Sequence, residues 1–122
     1  MKKITLTCAH AIVKYLIAQK ILINGKKEPL FPGVFGIFGH GNVACLGQAL
    51  EENQKELPTY RGHHEQNMAL TGIGYARAKR RQQIFVATSS VGPGATNMVT
   101  ACLLYTSPSP RDATLSRMPS SA

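Results

Sequence analysis

A repeated order of short apolar segment, glycine-containing loop and helical pattern constrains the fold of this chain more than any other feature. The three apolar segments span residues 34–38 (VFGIF), 57–60 (LPTY) and 84–88 (IFVAT). Their apolar residues are largely continuous rather than alternating, which is typical of parallel strands that are buried on both faces. The pattern therefore predicts an α/β fold in which a parallel sheet carries helices on both faces.

The sequence before the first of these segments predicts a helix and a hairpin. Apolar residues recur at helical spacing after Thr7, whose hydroxyl can cap the helix N-terminus. Asn24 and Gly25 lie between two short apolar segments and predict a tight β-turn. Pro29 and Pro32 limit the pairing of the second hairpin strand, because proline lacks a backbone N–H.

The length and the charge of the chain exclude several classes of protein. With 122 residues there is room for one domain. The net charge of +8 could indicate nucleic-acid binding, but the Lys and Arg residues fall in three separate places. No apolar run reaches the roughly 18 residues of a membrane span, and the start of the chain does not resemble a signal peptide. We therefore expect a cytoplasmic protein with no nucleic-acid or membrane partner.

The three cysteines, Cys8, Cys45 and Cys102, are widely spaced and form no CxxC pair. This spacing suggests neither a zinc site nor a disulfide framework. Because most unpaired cysteines behave as small apolar residues, we predict that all three are buried.

The loops after the predicted strands form the candidate site, because ligands bind at the carboxyl ends of the strands in parallel sheets. The first loop contains Gly39, His40, Gly41 and Asn42. Its glycines allow a tight turn or a close approach to a ligand, although it lacks the GxGxxG dinucleotide fingerprint. Spacing alone leaves His40 either as a ligand-facing residue or as an ordinary loop histidine.

The second loop ends in Glu65, at the start of a long predicted helix over residues 65–81. Two interpretations of this carboxylate are open on spacing alone. It either serves a ligand or complements the positive end of the helix dipole, as first-turn acids commonly do. Gly72 and Gly74 inside the same helix are unfavourable relative to alanine, so they predict that another backbone packs closely there.

The third loop places Gly92, Pro93 and Gly94 between a buried strand and a helix that begins near residue 95. Proline fixes one torsion while the glycines reach conformations closed to other residues, which gives a rigid turn with exposed amides. Ser90 and Asn97 supply a hydroxyl and an amide beside this turn. The alternative is a turn with a purely structural role.

Taken in order, the segments VFGIFGHGN, GHHEQNMALTGIGYAR and TSSVGPGATNMVTA resemble the pyrimidine-binding domain of thiamine diphosphate enzymes of the acetolactate synthase and pyruvate oxidase type. The resemblance spans residues 3–101. Three finer features are similar to the inositol-catabolic hydrolase family within that superfamily: VFGIFGHGNV, the serine-valine insertion in TSSVGPG, and the hairpin ILINGKKEPLF. Hydrolases of that family open the ring of 3D-(3,5/4)-trihydroxycyclohexane-1,2-dione to give 5-deoxyglucuronate.

The resemblance implies a catalytic role for Glu65. In the family, the matching glutamate hydrogen-bonds a ring nitrogen of the cofactor aminopyrimidine and favours the imino tautomer, which removes the proton from the thiazolium carbon. This chemistry needs a buried carboxylate whose proton can be shared with the ring. The resemblance also places further residues of this chain near thiamine diphosphate: Gly39, His40, Gly41, Asn42, Ser90, Gly92, Pro93, Gly94 and Asn97.

The resemblance also has implications for parts that this chain does not contain. The family holds the diphosphate and its magnesium in a second domain, through a glycine-aspartate-glycine motif followed by an asparagine. Nothing in these 122 residues matches that motif, so no metal ligand is assigned here. Because the family's active site forms between two subunits, we expect a homo-oligomer acting on a small-molecule substrate. The 122-residue chain alone is expected to be inactive.

Next to Glu65 the sequence departs from the family pattern. His63, His64 and Asn67 stand where relatives are expected to carry Arg-Asn and a small residue. Two alternative functions are therefore kept open. One is a fragment of an acetolactate synthase-like carboligase, and the other is a small basic binding protein without catalysis.

The last part of the chain is rich in serine and proline and shows no periodicity. We therefore predict an incomplete pyrimidine-binding domain over residues 1–101. Residues 102–122 are predicted to form a tail that is either non-native or disordered.

Overall fold

The computed structural model describes residues 4–106, in which a three-stranded parallel sheet is combined with helices and a separate hairpin. The α/β fold predicted from the sequence is thereby confirmed. The elements follow in this order: α1 (Cys8–Ala18), β1 (Lys20–Ile23), β2 (Lys26–Pro29), β3 (Val34–Gly36), a π-helical turn (Val43–Gly47), α2 (Gln48–Glu52), β4 (Thr59–Arg61), α3 (Glu65–Ala78), β5 (Val86–Thr88) and α4 (Pro93–Thr106).

Strand β3 is the centre of the parallel sheet, with β4 on one side and β5 on the other. Its last residue, Gly36, lies opposite Arg61 of β4 and Thr88 of β5. Since the three strands run in the same direction, their carboxyl ends share one edge of the sheet. The three loops singled out in the sequence therefore leave from that edge.

Helices cover both faces of this sheet. Val34 is fully buried on the face covered by α1 and α2, where it belongs to the same core cluster as Val13. Its neighbour Phe35 points to the opposite face, because successive side chains of a strand alternate. There Phe35, Met68 of α3 and Cys102 of α4 line an apolar cavity of about 330 Å³.

The predicted helix cap and hairpin are both present. The hydroxyl of Thr7 accepts a hydrogen bond from the backbone N–H of His10 at 3.2 Å. Asn24 and Gly25 have φ values of +51° and +77°, as the central residues of a type I′ turn require. The second hairpin strand ends at Pro29, one of the two prolines that were predicted to limit its pairing.

The strands are shorter than predicted. Strand β3 ends at Gly36, two residues before the end of the apolar segment. The chain turns there because the ring of Phe38 folds back over Gly36, where a β-carbon would lie 2.6 Å from the ring. One further ladder hydrogen bond follows, from the N–H of Ile37 to the carbonyl of Thr88 at 3.1 Å. Strand β5 likewise begins two residues after the start of its apolar segment.

The helix boundaries also differ from the prediction. Helix α3 ends at Ala78 rather than at residue 81, because Arg80 and Arg81 have left-handed φ values of +52° and +60°. Helix α4 begins at Pro93, two residues earlier than predicted, since proline suits the first position of a helix. It continues to Thr106, past the predicted boundary after residue 101. That boundary stays a prediction, and residues 107–122 lie outside the described residues.

The prediction that the three cysteines are buried is wrong, since all three are exposed. In each case an adjacent residue in the chain faces inward: the following one for Cys8 and Cys45, and the preceding one for Cys102. Ala9 and Ala101 are buried, and Leu46 packs against the core cluster. Successive residues of a helix lie about 100° apart, so a cysteine beside an inward-facing residue is turned toward the surface.

The close backbone approach predicted at Gly72 and Gly74 is not found among residues 4–106. A β-carbon added at Gly72 would lie 3.7 Å from the β-carbon of Phe85, which is an ordinary contact. One added at Gly74 would meet nothing within 4 Å. Gly74 is therefore a useful control position for substitutions in α3.

A buried glutamine joins the hairpin to the sheet and to α3. Gln83 is 9% exposed; its amide nitrogen donates to the carbonyl of Pro29 at 2.8 Å, and its amide oxygen accepts from the hydroxyl of Tyr75 at 3.0 Å. We expect Gln83→Ala to lower the free energy of unfolding by about 1–3 kcal/mol, because both partners lose a part-buried hydrogen bond. Urea unfolding of the full chain measures this. Gln82→Ala, at the exposed neighbouring position, is expected to change little.

A surface link between α1 and α2 predicts a pH effect. His10 Nε2 lies 2.8 Å from Glu52 Oε2, and the hydrogen bond with His10 is the main reason why the pKa of Glu52 is lowered. A lowered pKa in the folded state means that the link stabilises above the carboxyl's ordinary pKa. The stabilisation is lost as the pH falls through the lowered value. We therefore expect the difference in urea midpoint between the wild type and Glu52→Gln to shrink on acidification, and a constant difference would contradict this.

Candidate active site

The three loops at the carboxyl edge of the sheet contact one another. Asn42 of the first loop donates its side-chain amide to the carbonyl of Ser89 in the third loop at 3.3 Å. Gly39 lies so close to Ser90 that an added β-carbon would be 3.1 Å from the Ser90 β-carbon. The third loop in turn reaches Glu65, at the end of the second loop. Residues distant in sequence thus form one cluster.

The carboxylate of Glu65 is the centre of this cluster. Glu65 is the first residue of α3 and is 6% exposed. The hydroxyl of Ser90 donates to its Oε1 atom at 3.0 Å. His64, the residue before the helix, is extended and its side chain makes no capping hydrogen bond. The start of α3 therefore presents its carboxylate to the third loop.

Local hydrogen bonds lower the pKa of the Glu65 carboxyl. Its own backbone N–H is the largest cause of a pKa below the ordinary value. Burial acts in the opposite direction, because a carboxylate is less well solvated there. Hydrogen bonds from the side chains of Ser90 and Asn97, together with the charge of His64, add to the lowering of the pKa. The net result is a carboxylate that accepts hydrogen bonds readily.

Gly94 fits against Glu65 because it has no side chain. It is the second residue of α4 and is buried. A β-carbon at this position would overlap both the hydroxyl of Ser90 and the carboxylate of Glu65. The absence of a side chain at position 94 therefore permits the hydrogen bond between these two residues.

Five of the predicted cofactor-binding residues lie in this cluster. Ser90, Gly94 and Asn97 approach the carboxylate itself, whereas Gly39 packs against Ser90 and Asn42 binds the carbonyl of Ser89. The other four are exposed: His40, Gly41, Gly92 and Pro93. Their roles in cofactor binding stay predictions, as do those of the residues around Glu65.

The first loop has two unusual backbone features. His40 has a left-handed φ of +51°, and the chain then enters a π-helical turn at Val43–Gly47. Such turns are rare and are often found at functional sites. The ring of Phe38 lies beneath this turn, 3.6 Å from the position of a β-carbon on Gly47. Phe38 thereby supports the loop that carries His40 and Asn42.

A cavity of about 590 Å³ opens at the same edge of the sheet, between the first and second loops. Its apolar wall is formed by Ile37, Phe38 and Val43, and its polar wall includes Arg61 and His63. The sequence analysis did not single out Arg61. Its position as the last residue of a strand in a parallel sheet is the signal that could have identified it.

Fold and site together define a cofactor-binding α/β domain, in which loops at one edge of a parallel sheet enclose a buried carboxylate. The chain belongs to the family described as "Thiamine pyrophosphate enzyme, N-terminal TPP binding domain", which matches residues 28–106. The match includes all three loops and Glu65. The family recognised from the motifs is thereby confirmed.

Several proteins similar to this chain carry the name 3D-(3,5/4)-trihydroxycyclohexane-1,2-dione hydrolase. That of Geobacillus thermodenitrificans (strain NG80-2) is 53% identical over 106 residues, covering 87% of this chain and 17% of the relative. That of Clostridium tetani (strain Massachusetts / E88) is 48% identical over 106 residues, covering 87% and 16%. That of Bacillus thuringiensis (strain Al Hakam) is 48% identical over 101 residues, covering 83% and 16%. The chain thus spans about a sixth of the length of these relatives.

The residues present fit the aminopyrimidine part of thiamine diphosphate. Glu65 supplies a carboxylate with a lowered pKa, which suits a ring nitrogen that can be protonated. The neighbouring cavity combines apolar side chains that suit a flat ring with the polar side chains of Arg61 and His63. Within residues 4–106, no group of three or more His, Cys, Asp or Glu side chains is arranged to hold a metal ion. No helix in that range combines the length and hydrophobicity of a membrane span.

Proposed function

We propose that this chain is the pyrimidine-binding part of a thiamine diphosphate-dependent hydrolase. The hydrolase would open the ring of 3D-(3,5/4)-trihydroxycyclohexane-1,2-dione by carbon–carbon bond cleavage to give 5-deoxyglucuronate in myo-inositol catabolism. The observation that carries the proposal is the buried carboxylate of Glu65, held by Ser90 against Gly94. The names of the relatives support the choice of substrate.

In this proposal Glu65 binds and polarises the aminopyrimidine. When bound, thiamine diphosphate supplies a nucleophilic carbon and an electron sink for the cleavage of a carbon–carbon bond. The carboxyl group of Glu65 would share one proton with a ring nitrogen, and it would accept the hydrogen bond when the nitrogen carries that proton. Burial makes this interaction stronger than it would be in water. The hydrogen bonds from Ser90 and Asn97 lower the pKa of the carboxyl, and the bond from Ser90 would hold it in place for the ring.

The proposal assigns the remaining parts of the active site to polypeptide outside this chain. The diphosphate and its magnesium would be held by a second domain, and the complete site would form between two subunits of a homo-oligomer. We propose that the enzyme acts in the cytoplasm. Glu65 and the loops around it would then be one half of a shared site at the carboxyl edge of the parallel sheet.

A chimera tests this function directly. In it, this chain replaces the matching 106-residue segment of the Geobacillus thermodenitrificans hydrolase. The purified chimera is supplied with thiamine diphosphate, magnesium and the cyclic dione, and the ring-opened acid is quantified by mass spectrometry. We expect cofactor-dependent formation of that acid. A chimera that binds the cofactor but forms acetolactate from pyruvate instead would support the carboligase alternative and contradict the proposal.

A further inference from the structure

We infer that Ser90 is a positioning residue for Glu65, which orients the carboxylate through a hydrogen bond to Oε1. The inference rests on the proposed function for its catalytic consequence, but its structural part stands on contacts within this chain. The sequence analysis grouped Ser90 with the residues that touch the cofactor. The geometry points instead to an action through Glu65.

The hydroxyl of Ser90 has one proton, and that proton is used in the bond to Glu65. Its oxygen lies 3.0 Å from Oε1, within the usual range for a hydrogen bond to a carboxylate. A serine hydroxyl is a single donor, so it cannot also donate to a ligand while this bond is formed. As a hydrogen-bond donor, Ser90 therefore acts on the carboxylate of Glu65.

The position of Ser90 is fixed from two sides. Gly39 of the first loop packs against its β-carbon, where a side chain at position 39 would come within 3.1 Å. Gly94 of α4 packs against its hydroxyl, where a β-carbon would overlap. One glycine of the first loop and one of α4 thus pack against this side chain, and its hydroxyl has little freedom to leave Oε1.

The place of Ser90 in the chain strengthens this interpretation. It belongs to the serine-valine insertion between β5 and α4, which the sequence analysis used as a feature of the family. Its neighbour Val91 is exposed, whereas Ser90 is partly buried and directed at Glu65. Of the inserted residues Ser90 and Val91, Ser90 therefore donates a hydrogen bond to the carboxylate. This bond contributes to the lowered pKa of Glu65.

The test compares Ser90→Ala with Ser89→Ala in the chimera. The first measurement is an infrared titration of the Glu65 carboxyl without cofactor. The spectrum of Glu65→Gln is subtracted to identify the signal of this carboxyl. We expect the pKa of Glu65 to rise in Ser90→Ala, because the carboxylate loses a hydrogen bond that the neutral acid needs less. Ser89 is the matched control, since its contact to Asn42 uses the backbone carbonyl, which the substitution retains.

The second measurement is the pH profile of ring opening. In Ser90→Ala we expect kcat to fall roughly tenfold while KM changes little. The part of the pH profile that follows the titration of Glu65 is expected to move to higher pH. If this variant fails to fold, Ser90→Cys replaces it, because a thiol of similar shape is a weaker donor and shifts the titration in the same direction.

An unchanged Glu65 titration in a folded Ser90 variant would overturn the inference, as would an equal shift in Ser89→Ala. Failure of the proposed function is distinguishable from this result. It would appear as an unsubstituted chimera without ring-opening activity, whereas the carboxyl titration needs neither cofactor nor turnover.

Discussion

Glu65→Gln is expected to lower the ring-opening rate of the chimera by about 10²–10⁴-fold while changing its affinity for thiamine diphosphate only slightly. Glutamine has nearly the same shape as glutamate, but its amide cannot take up or share a proton. Proton transfer by a positioned side chain contributes a factor of this size in enzymes. In our proposal, most of the cofactor's binding energy comes from contacts to its diphosphate and magnesium. The residues that make those contacts lie outside this chain.

The measurement for Glu65→Gln combines steady-state kinetics with a titration of cofactor binding. Glu56→Gln is the matched control, because Glu56 is an exposed acid on the surface before β4. It is expected to leave both quantities unchanged. If the lower rate were explained entirely by weaker cofactor binding, Glu65 would contribute to cofactor affinity and not to cofactor activation.

Gly94→Ala is the second substitution with a large expected effect. At an ordinary helical position, alanine is more favourable than glycine by about 1 kcal/mol. Here the added methyl group would overlap the Ser90 hydroxyl and the Glu65 carboxylate, so one of these groups has to move. We expect turnover of the chimera to fall by about 100-fold, because small displacements of a catalytic group are costly. We also expect the free energy of unfolding to fall by about 1–3 kcal/mol.

Gly74→Ala is the control for this effect. Gly74 lies inside α3, and a β-carbon there meets open space. Alanine should therefore leave turnover unchanged and raise the free energy of unfolding slightly. Urea unfolding and ring-opening assays on both variants give the comparison. If Gly94→Ala proved as harmless as Gly74→Ala, the close packing of α4 against Glu65 would be contradicted.

The sequence was sufficient to predict the architecture and the edge of the sheet that carries the site. The apolar segment that contains Val34 and Phe35 reads as a strand buried on both faces, and both faces are in fact covered. Strands of this kind run parallel, and parallel strands bring their following loops to one edge. The convergence of the three loops follows from topology alone.

The contacts that define the site could not be predicted from the sequence. Ser90 and Glu65 are 25 residues apart, and their hydrogen bond depends on how α3 and α4 begin. The same limit explains the wrong prediction for Cys45, because composition gives the average burial of a residue type but not the face of a helix on which it lies. Likewise, the sequence suggests that Gly94 is a turn residue. In the structure, its lack of a side chain leaves space for the carboxylate of Glu65.

The most direct test of the account is the exchange rate of the thiazolium proton of thiamine diphosphate bound to the chimera, followed by NMR in deuterated water. This rate reports activation of the cofactor without any need for substrate. We predict much faster exchange in the chimera than for the free cofactor, and a return toward the free rate in Glu65→Gln. Equal and fast exchange in both proteins would contradict the claim that Glu65 of this chain activates the cofactor.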